Sequence, residues 1–193
     1  MQAAVSHLQA AKVAIIPTDT VYGIGALASD ARAVAQVLAA KGRGRQMPPP
    51  VLVSDICQLD GVVANIPAPA RALMEAYWPG ALTLILPAHP DLSWDLGETG
   101  GTVAVRQPNY PLTLQLLSQT GPLAGTSANL TGQPRTYFGP QIDSGEIYLL
   151  DDGATPGPVP STIVSFAAPQ PKVLRVGVLS VAQIEAVIGK VNG

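Results

Sequence analysis

The feature that most constrains this chain is a short apolar run that stops at a proline. Val13 to Ile16 are β-branched or small, and Pro17 ends them. So short and branched a run, closed by a breaker, reads as a buried strand. Thr18, Asp19 and Thr20 follow at once, then Tyr22, Gly23 and Gly25. Polar groups beyond the carboxyl end of a strand stand where open α/β sheets bind ligands. The two glycines would let backbone approach a ligand closely. Pro-Thr-Asp-Thr is equally readable as a turn whose Asp and Thr side chains bond their own backbone.

The next segment adds charge. Ser29 and Asp30 are N-cap candidates for a helix over 31–40, where Val34, Val37 and Leu38 recur at helical spacing. It runs into Lys41, Gly42, Arg43, Gly44 and Arg45. A single lysine here would serve only to offset the helix dipole. Cations alternating with glycines outline an anion site instead, in a loop expected to face solvent. The pattern is neither a Walker loop, since no Gly-Lys-Ser/Thr is present, nor a dinucleotide fingerprint, since the third glycine is missing.

Composition narrows the ligand. At 193 residues, 47% hydrophobic and 12% charged, the chain can bury one sizeable core, so 1–193 is expected to form a single domain. A net charge of −2 with only 11 Lys and Arg argues against a broad grip on nucleic acid and for a small anionic ligand. One cysteine, Cys57, excludes an internal disulfide and reads as a core or partly buried thiol. His7 and His89, far apart and without a CxxC, argue against structural zinc. No secretory pattern opens the chain and no apolar run approaches the ~20 residues of a membrane span, so a soluble, cytoplasmic protein is expected. Asn129-Leu130-Thr131 is then a chance match to a glycosylation acceptor.

Further along, helices are expected over 3–11, 70–77 and 111–118. A closing helix capped by Ser180 should gather Val181, Ile184, Val187 and Ile188 on one face. Strands are expected over 51–53, 81–86, 101–106, 122–125, 147–150, 161–166 and 172–176. Trp78 reads as a core anchor and 88–101 as an exposed excursion, with a hairpin around Gly97 or Gly100. Early alternation of strand and helix followed by clustered strands predicts a mixed, twisted sheet flanked by helices.

Four separate segments thus place polar groups beside short strands: Thr18 to Thr20, Lys41 with Arg43, Arg106, and Ser127 with Asn129. The motifs PTDTVYGIG, Lys41-x-Arg43, WPGALT, TVAVRQP, TSANLTG, PSTIV and VLRVG, in this order, cover nearly the whole chain. In them the sequence resembles the YrdC-like L-threonylcarbamoyladenylate synthases, in their short form. The resemblance implies an α/β fold with a twisted, open mixed sheet and a concave central cleft. It implies an enzyme, a nucleotidyltransferase, that joins L-threonine, bicarbonate and ATP into threonylcarbamoyl-adenylate and pyrophosphate for modification of tRNA. ATP is then a substrate accompanied by Mg²⁺, with no metal ligands from the chain. The onward partner is the tRNA threonylcarbamoyl-transferase complex, with little or no direct RNA binding.

By the same resemblance Lys41, Arg43, Ser127 and Asn129 hold the ATP phosphates and the carbamate. Thr102 and Arg175 contact nucleotide, while Thr20, Arg106 and Ser161 bind threonine. Tyr22 reads as packing, Asp19 as a brace for its loop, and Asp151 and Asp152 as turn residues. Many relatives carry Pro, then Asn-Pro-Leu and a histidine, where this chain has Gly44, Met47, Pro48, Pro49 and Leu52. Met47 and Leu52 are accordingly not assigned as ligands, and Arg45 is an additional cation. Gly42 and Gly44 permit a lid hinged near Lys41, which the three prolines would restrict. A non-catalytic double-stranded RNA-binding module and a relative that handles carbamoyl-adenylate are the alternative readings.

Overall fold

Ala14–Ile16 forms β1, and the two sides of this strand face two different layers. The structure, a computed structural model, describes residues 1–129 and 147–192. Ala14 and Ile16 pack with Val5 and Leu8 of α1 (Gln2–Gln9) and with Leu116 and Leu117 of α4 (Pro111–Thr120). Ile15 packs with Ala33 and Val37 of α2 (Ala31–Ala40). A strand covered on both faces has no solvent side, so its sequence need not alternate.

The remaining strands are β2 (Gly23–Leu27), β3 (Val51–Leu52), β4 (Leu82–Pro87), β5 (Thr102–Arg106), β6 (Leu123–Ser127), β7 (Tyr148–Leu149), β8 (Thr162–Ser165) and β9 (Lys172–Arg175). Among the described residues they form one open sheet in the order β7-β1-β2-β6-β3-β5-β4-β8-β9. The pairs β1/β7, β3/β5 and β4/β8 are parallel and the others antiparallel, so the sheet is mixed, as expected. The largest apolar cluster joins Val105, Leu84 and Val164 of the sheet to Leu73 and Met74 of α3 (Ala68–Tyr77) and Ile184 of α5 (Val181–Ile188). Burying each such side chain stabilises the fold by about 1.5–3 kcal/mol before chain entropy is set against it.

Caps follow the sequence signals. Asp30 accepts from the backbone of Arg32 and Ala33, and Ser180 forms a reciprocal capping box with Gln183. Trp78 packs half-buried against the main core and donates its indole N–H to Leu82 O at 2.8 Å.

Several expectations are corrected. Gly23 and Gly25 lie within β2, which pairs with β6 so that Gly25 stands opposite Gly125. A Cβ on Gly25 would sit 3.3 Å from Ala124 O, and one on Gly125 would sit 3.2 Å from Ile24 O. Strand packing accounts for Gly25, while Gly23 and Gly125 also line a cavity, where backbone can approach a ligand. Cys57 is exposed, because it lies on a short 3-10 helix (Ile56–Leu59) that turns only Leu59 fully inward. The 88–101 segment forms no hairpin. It buries Leu96 and runs alongside the loop that follows α2. Val187 is exposed, since Ile184 alone of its helix face reaches deep into the core. No described helix is long and apolar enough to cross a membrane.

Candidate active site

A cavity of about 290 Å³ opens where the loop after β1, the loop after α2 and the inner strands meet. Its polar wall includes Thr20, Arg43, Thr102, Arg106, Ser127, Ser161 and Arg175, and its apolar wall includes Pro48, Pro49, Pro50, Leu52 and Leu96. A few convergent polar groups on an apolar wall are the usual make-up of a small-molecule site.

Arg106 ends β5, and its guanidinium is held from several sides. Nε donates to Gly80 O at 3.0 Å, Nη1 to Thr20 Oγ1 at 3.2 Å and Nη2 to Asp19 Oδ1 at 2.6 Å. The same carboxylate oxygen accepts the backbone N–H of Asn109 at 3.0 Å, so Asp19 ties its loop to two groups near the end of β5. Burial draws the Arg106 guanidinium below its ordinary value, against the opposing pull of Asp19. It remains a cation at neutral pH, with a second N–H on each terminal nitrogen to offer an incoming anion.

Arg175 and Ser161 form a second fixed group. Nη2 of Arg175 donates to Ser161 O at 2.8 Å and lies 3.1 Å from Ser161 Oγ. Oγ of Ser161 is also 2.8 Å from Oγ1 of Thr83, a residue only 2% exposed. At the opposite wall Nη1 of Arg43 donates to Thr126 Oγ1 at 3.1 Å.

Lys41 departs from the sequence reading. It is not in a solvent-facing loop: as the C-cap of α2 it is 1% exposed, and it does not line the cavity. Its ammonium donates to Ser127 O at 2.6 Å, to Asn129 O and to Asn129 Oδ1 at 3.2 Å. Lys41 and the buried Asn129 therefore stand behind Ser127, and a cation satisfied by oxygens in this way is tolerable away from water. Leu130, Thr131 and Gly132, the end of the TSANLTG motif, lie outside the described residues.

The family model described as Telomere recombination (Sua5_yciO_yrdC) matches residues 6–177. The chain belongs to the Sua5/YciO/YrdC family. Within this family it is 45% identical over 192 residues to a Mycobacterium leprae protein that carries a provisional threonylcarbamoyl-AMP synthase name, covering 97% of this chain and 87% of that one. It is 41% identical over 195 residues to the threonylcarbamoyl-AMP synthase of Bacillus subtilis, covering 98% of this chain and 56% of that one. The structure of P. abyssi Sua5 complexed with L-threonine superposes with a TM-score of 0.92 at 33% identity, over 99% of this chain and 58% of that one.

In this Sua5/YciO/YrdC chain the fold thus gathers Thr20, Arg43, Thr102, Arg106, Ser127, Ser161 and Arg175 on one cavity, with Lys41 and Asn129 one step behind. Sequence reasoning missed Thr83 and Thr126, although both lie inside quoted motifs, WPGALT and TSANLTG. Thr83 alternates along β4 with core leucines, and nothing local marks it as facing a site. Leu52 does line the cavity, as an apolar wall, while Met47 is 42% exposed and lies outside it. Arg45 is no additional cavity cation, since it is paired with Asp95.

Proposed function

We propose that this chain is an L-threonylcarbamoyladenylate synthase, a nucleotidyltransferase that condenses L-threonine, bicarbonate and ATP. The observation that carries the reading is the convergence of Arg43, Arg106 and Arg175, from three distant segments, on a single cavity with serine and threonine hydroxyls between them. In the first step the amine of threonine takes up bicarbonate, forming an N–C bond and losing water, to give a carbamate. A carbamate oxygen then attacks the α-phosphorus of ATP, and the bond to the β-phosphate oxygen breaks to release pyrophosphate. Negative charge gathers on phosphate oxygens as this proceeds, so fixed donors aimed there do most of the work.

Arg43, Ser127 and Arg175 would face the phosphates with Thr102 beside the nucleotide, and Lys41 with Asn129 would hold Ser127's backbone in position. Arg106, already anchored by Asp19, would present its two further N–H groups to the threonine carboxylate as a fork. Thr20 and Ser161 would read the threonine side. Among the described lining residues there is no carboxylate, so Mg²⁺ would be carried on the phosphate oxygens. The same reading treats 1–193 as one catalytic unit whose product passes to the tRNA threonylcarbamoyl-transferase machinery.

The test is pyrophosphate release from ATP with each co-substrate omitted in turn. Release only when threonine and bicarbonate are both present is expected, whereas release unchanged without threonine would reject the reading. Carbamoyl phosphate in place of threonine should give none.

A further inference from the structure

The two walls of the cavity mouth are fastened to each other from outside. Arg43 and Pro48 to Pro50 line one side, Leu96 and Thr99 the other, and neither Arg45 nor Asp95 touches the cavity. Instead Nη1 of Arg45 donates to Asp95 Oδ2 at 3.0 Å and Nη2 to Oδ1 at 2.8 Å, a two-pronged pair spanning 50 residues of sequence. The backbone joins in, since Glu98 N donates to Arg45 O at 2.8 Å. Between them Gly97 adopts φ +104, and a Cβ there would sit 2.6 Å from that same carbonyl oxygen, so the close approach needs a residue without a side chain.

At its start the loop is held by Arg43, whose N–H donates to Leu38 O at 2.9 Å and whose Nη1 donates to Thr126 Oγ1 at 3.1 Å. Among the described residues, the backbone from Gly44 to Pro49 makes one hydrogen bond to another segment, the one from Glu98. Lys41 at the loop's start is immobilised by burial, and Pro50 O at its end accepts from Gly125 N at 2.8 Å. The span between carries Arg43 and the proline wall.

We propose that Arg45 and Asp95 are a positioning pair for nucleotide binding: their clasp holds the loop over 43–50 against the segment over 95–99, so that Arg43 and the proline wall are in place before ligand arrives. The inference rests on the proposed synthase activity for its kinetic readout. A protein that is binding-competent only a fraction of the time binds more weakly by that fraction. Loss of the clasp therefore acts on affinity and leaves the chemical step of the bound complex as it was. The pair is exposed, 58% and 45% at the side chains, so salt weakens it.

The experiment compares wild type, Arg45→Ala, Asp95→Ala and the exchange Arg45→Asp with Asp95→Arg, with kcat and KM for ATP measured at low and high salt. Each single variant should raise KM by about 2- to 5-fold, the upper part of what an exposed pair supports, with kcat unchanged. The exchange should recover most of the affinity, and the variant-to-wild-type ratio should shrink as salt rises. Amide hydrogen exchange over 43–47, the part of the loop that carries N–H groups, and at Glu98 should be faster in Arg45→Ala without substrates. Unchanged KM, a fall in kcat alone, failure of the exchange to recover, or equal hydrogen exchange would each overturn the proposal. Absence of threonine-dependent pyrophosphate release by wild type would instead overturn the synthase reading, and hydrogen exchange with direct ATP affinity would then decide the clasp.

Discussion

Asp19 Oδ1 and Arg106 Nη2 meet at 2.6 Å beside the cavity, with side chains only 13% and 8% exposed. The pair joins the loop after β1 to the end of β5, and Asn109 N closes the triangle on the same oxygen. Removing one member of a buried pair leaves the other charge without compensation. Asp19→Ala is expected to lower stability by about 3 kcal/mol, read from the urea midpoint. It should also raise the KM for threonine, since the guanidinium loses its anchor. A midpoint equal to wild type would refute this account of the pair.

Lys41→Met keeps the length of a buried side chain and withdraws the donor from Ser127 O, Asn129 O and Asn129 Oδ1. The expected loss is about 1–3 kcal/mol for acceptors left in a dry site. Pyrophosphate release should fall further than the folded fraction does, because Ser127 is then less well placed. Thermal unfolding alongside the activity assay separates the two, and activity tracking the folded fraction would assign Lys41 to stability alone.

The Thr83 hydroxyl meets Ser161 Oγ at 2.8 Å on the cavity wall, so it governs one partner of that site. Thr83→Val keeps the shape and removes the hydrogen bond, worth about 1 kcal/mol, or roughly fivefold in the KM for threonine. The KM for ATP should stay as it is. An equal rise in both would show that the substitution disturbs the whole cavity.

Tyr110 donates to Asp152 Oδ2 at 2.9 Å, and burial, followed by this bond and the Asp152 charge, pushes its phenol up to about 12 from 10.0. The folded value lies above the unfolded one, so this stabilisation is fully present below pH 10.0 and is lost as pH rises toward about 12. Tyrosinate absorbance on alkaline titration should include late steps, since burial also pushes the Tyr22 phenol up, and Tyr110→Phe should remove one tyrosine's worth of that late amplitude. A late amplitude unchanged by the substitution would contradict the assignment.

Local signals in the sequence settled part of the local structure, though not β2 or the course of 88–101. The run over 13–16 is a strand because it is apolar, branched and stopped by Pro17, and Asp30 and Ser180 start helices because their side chains satisfy the first free N–H groups. The polar motifs marked most of the cavity wall as well, since all but Lys41-x-Arg43, which closes α2, sit at or beside the end of a strand. Which groups then bond one another was not legible. Asp19 meets Arg106 across 87 residues, Thr83 meets Ser161 across 78, and Lys41 reaches Asn129 across 88. Such pairs depend on the order in which strands lie side by side, and that order is decided by burial of apolar surface summed over the whole chain. Gly25 and Gly125 make the point in reverse: the sequence offered Gly25 as room for a ligand and Gly125 only as the end of a strand, and the sheet alone, by setting them opposite each other, explains why a side chain would be crowded there.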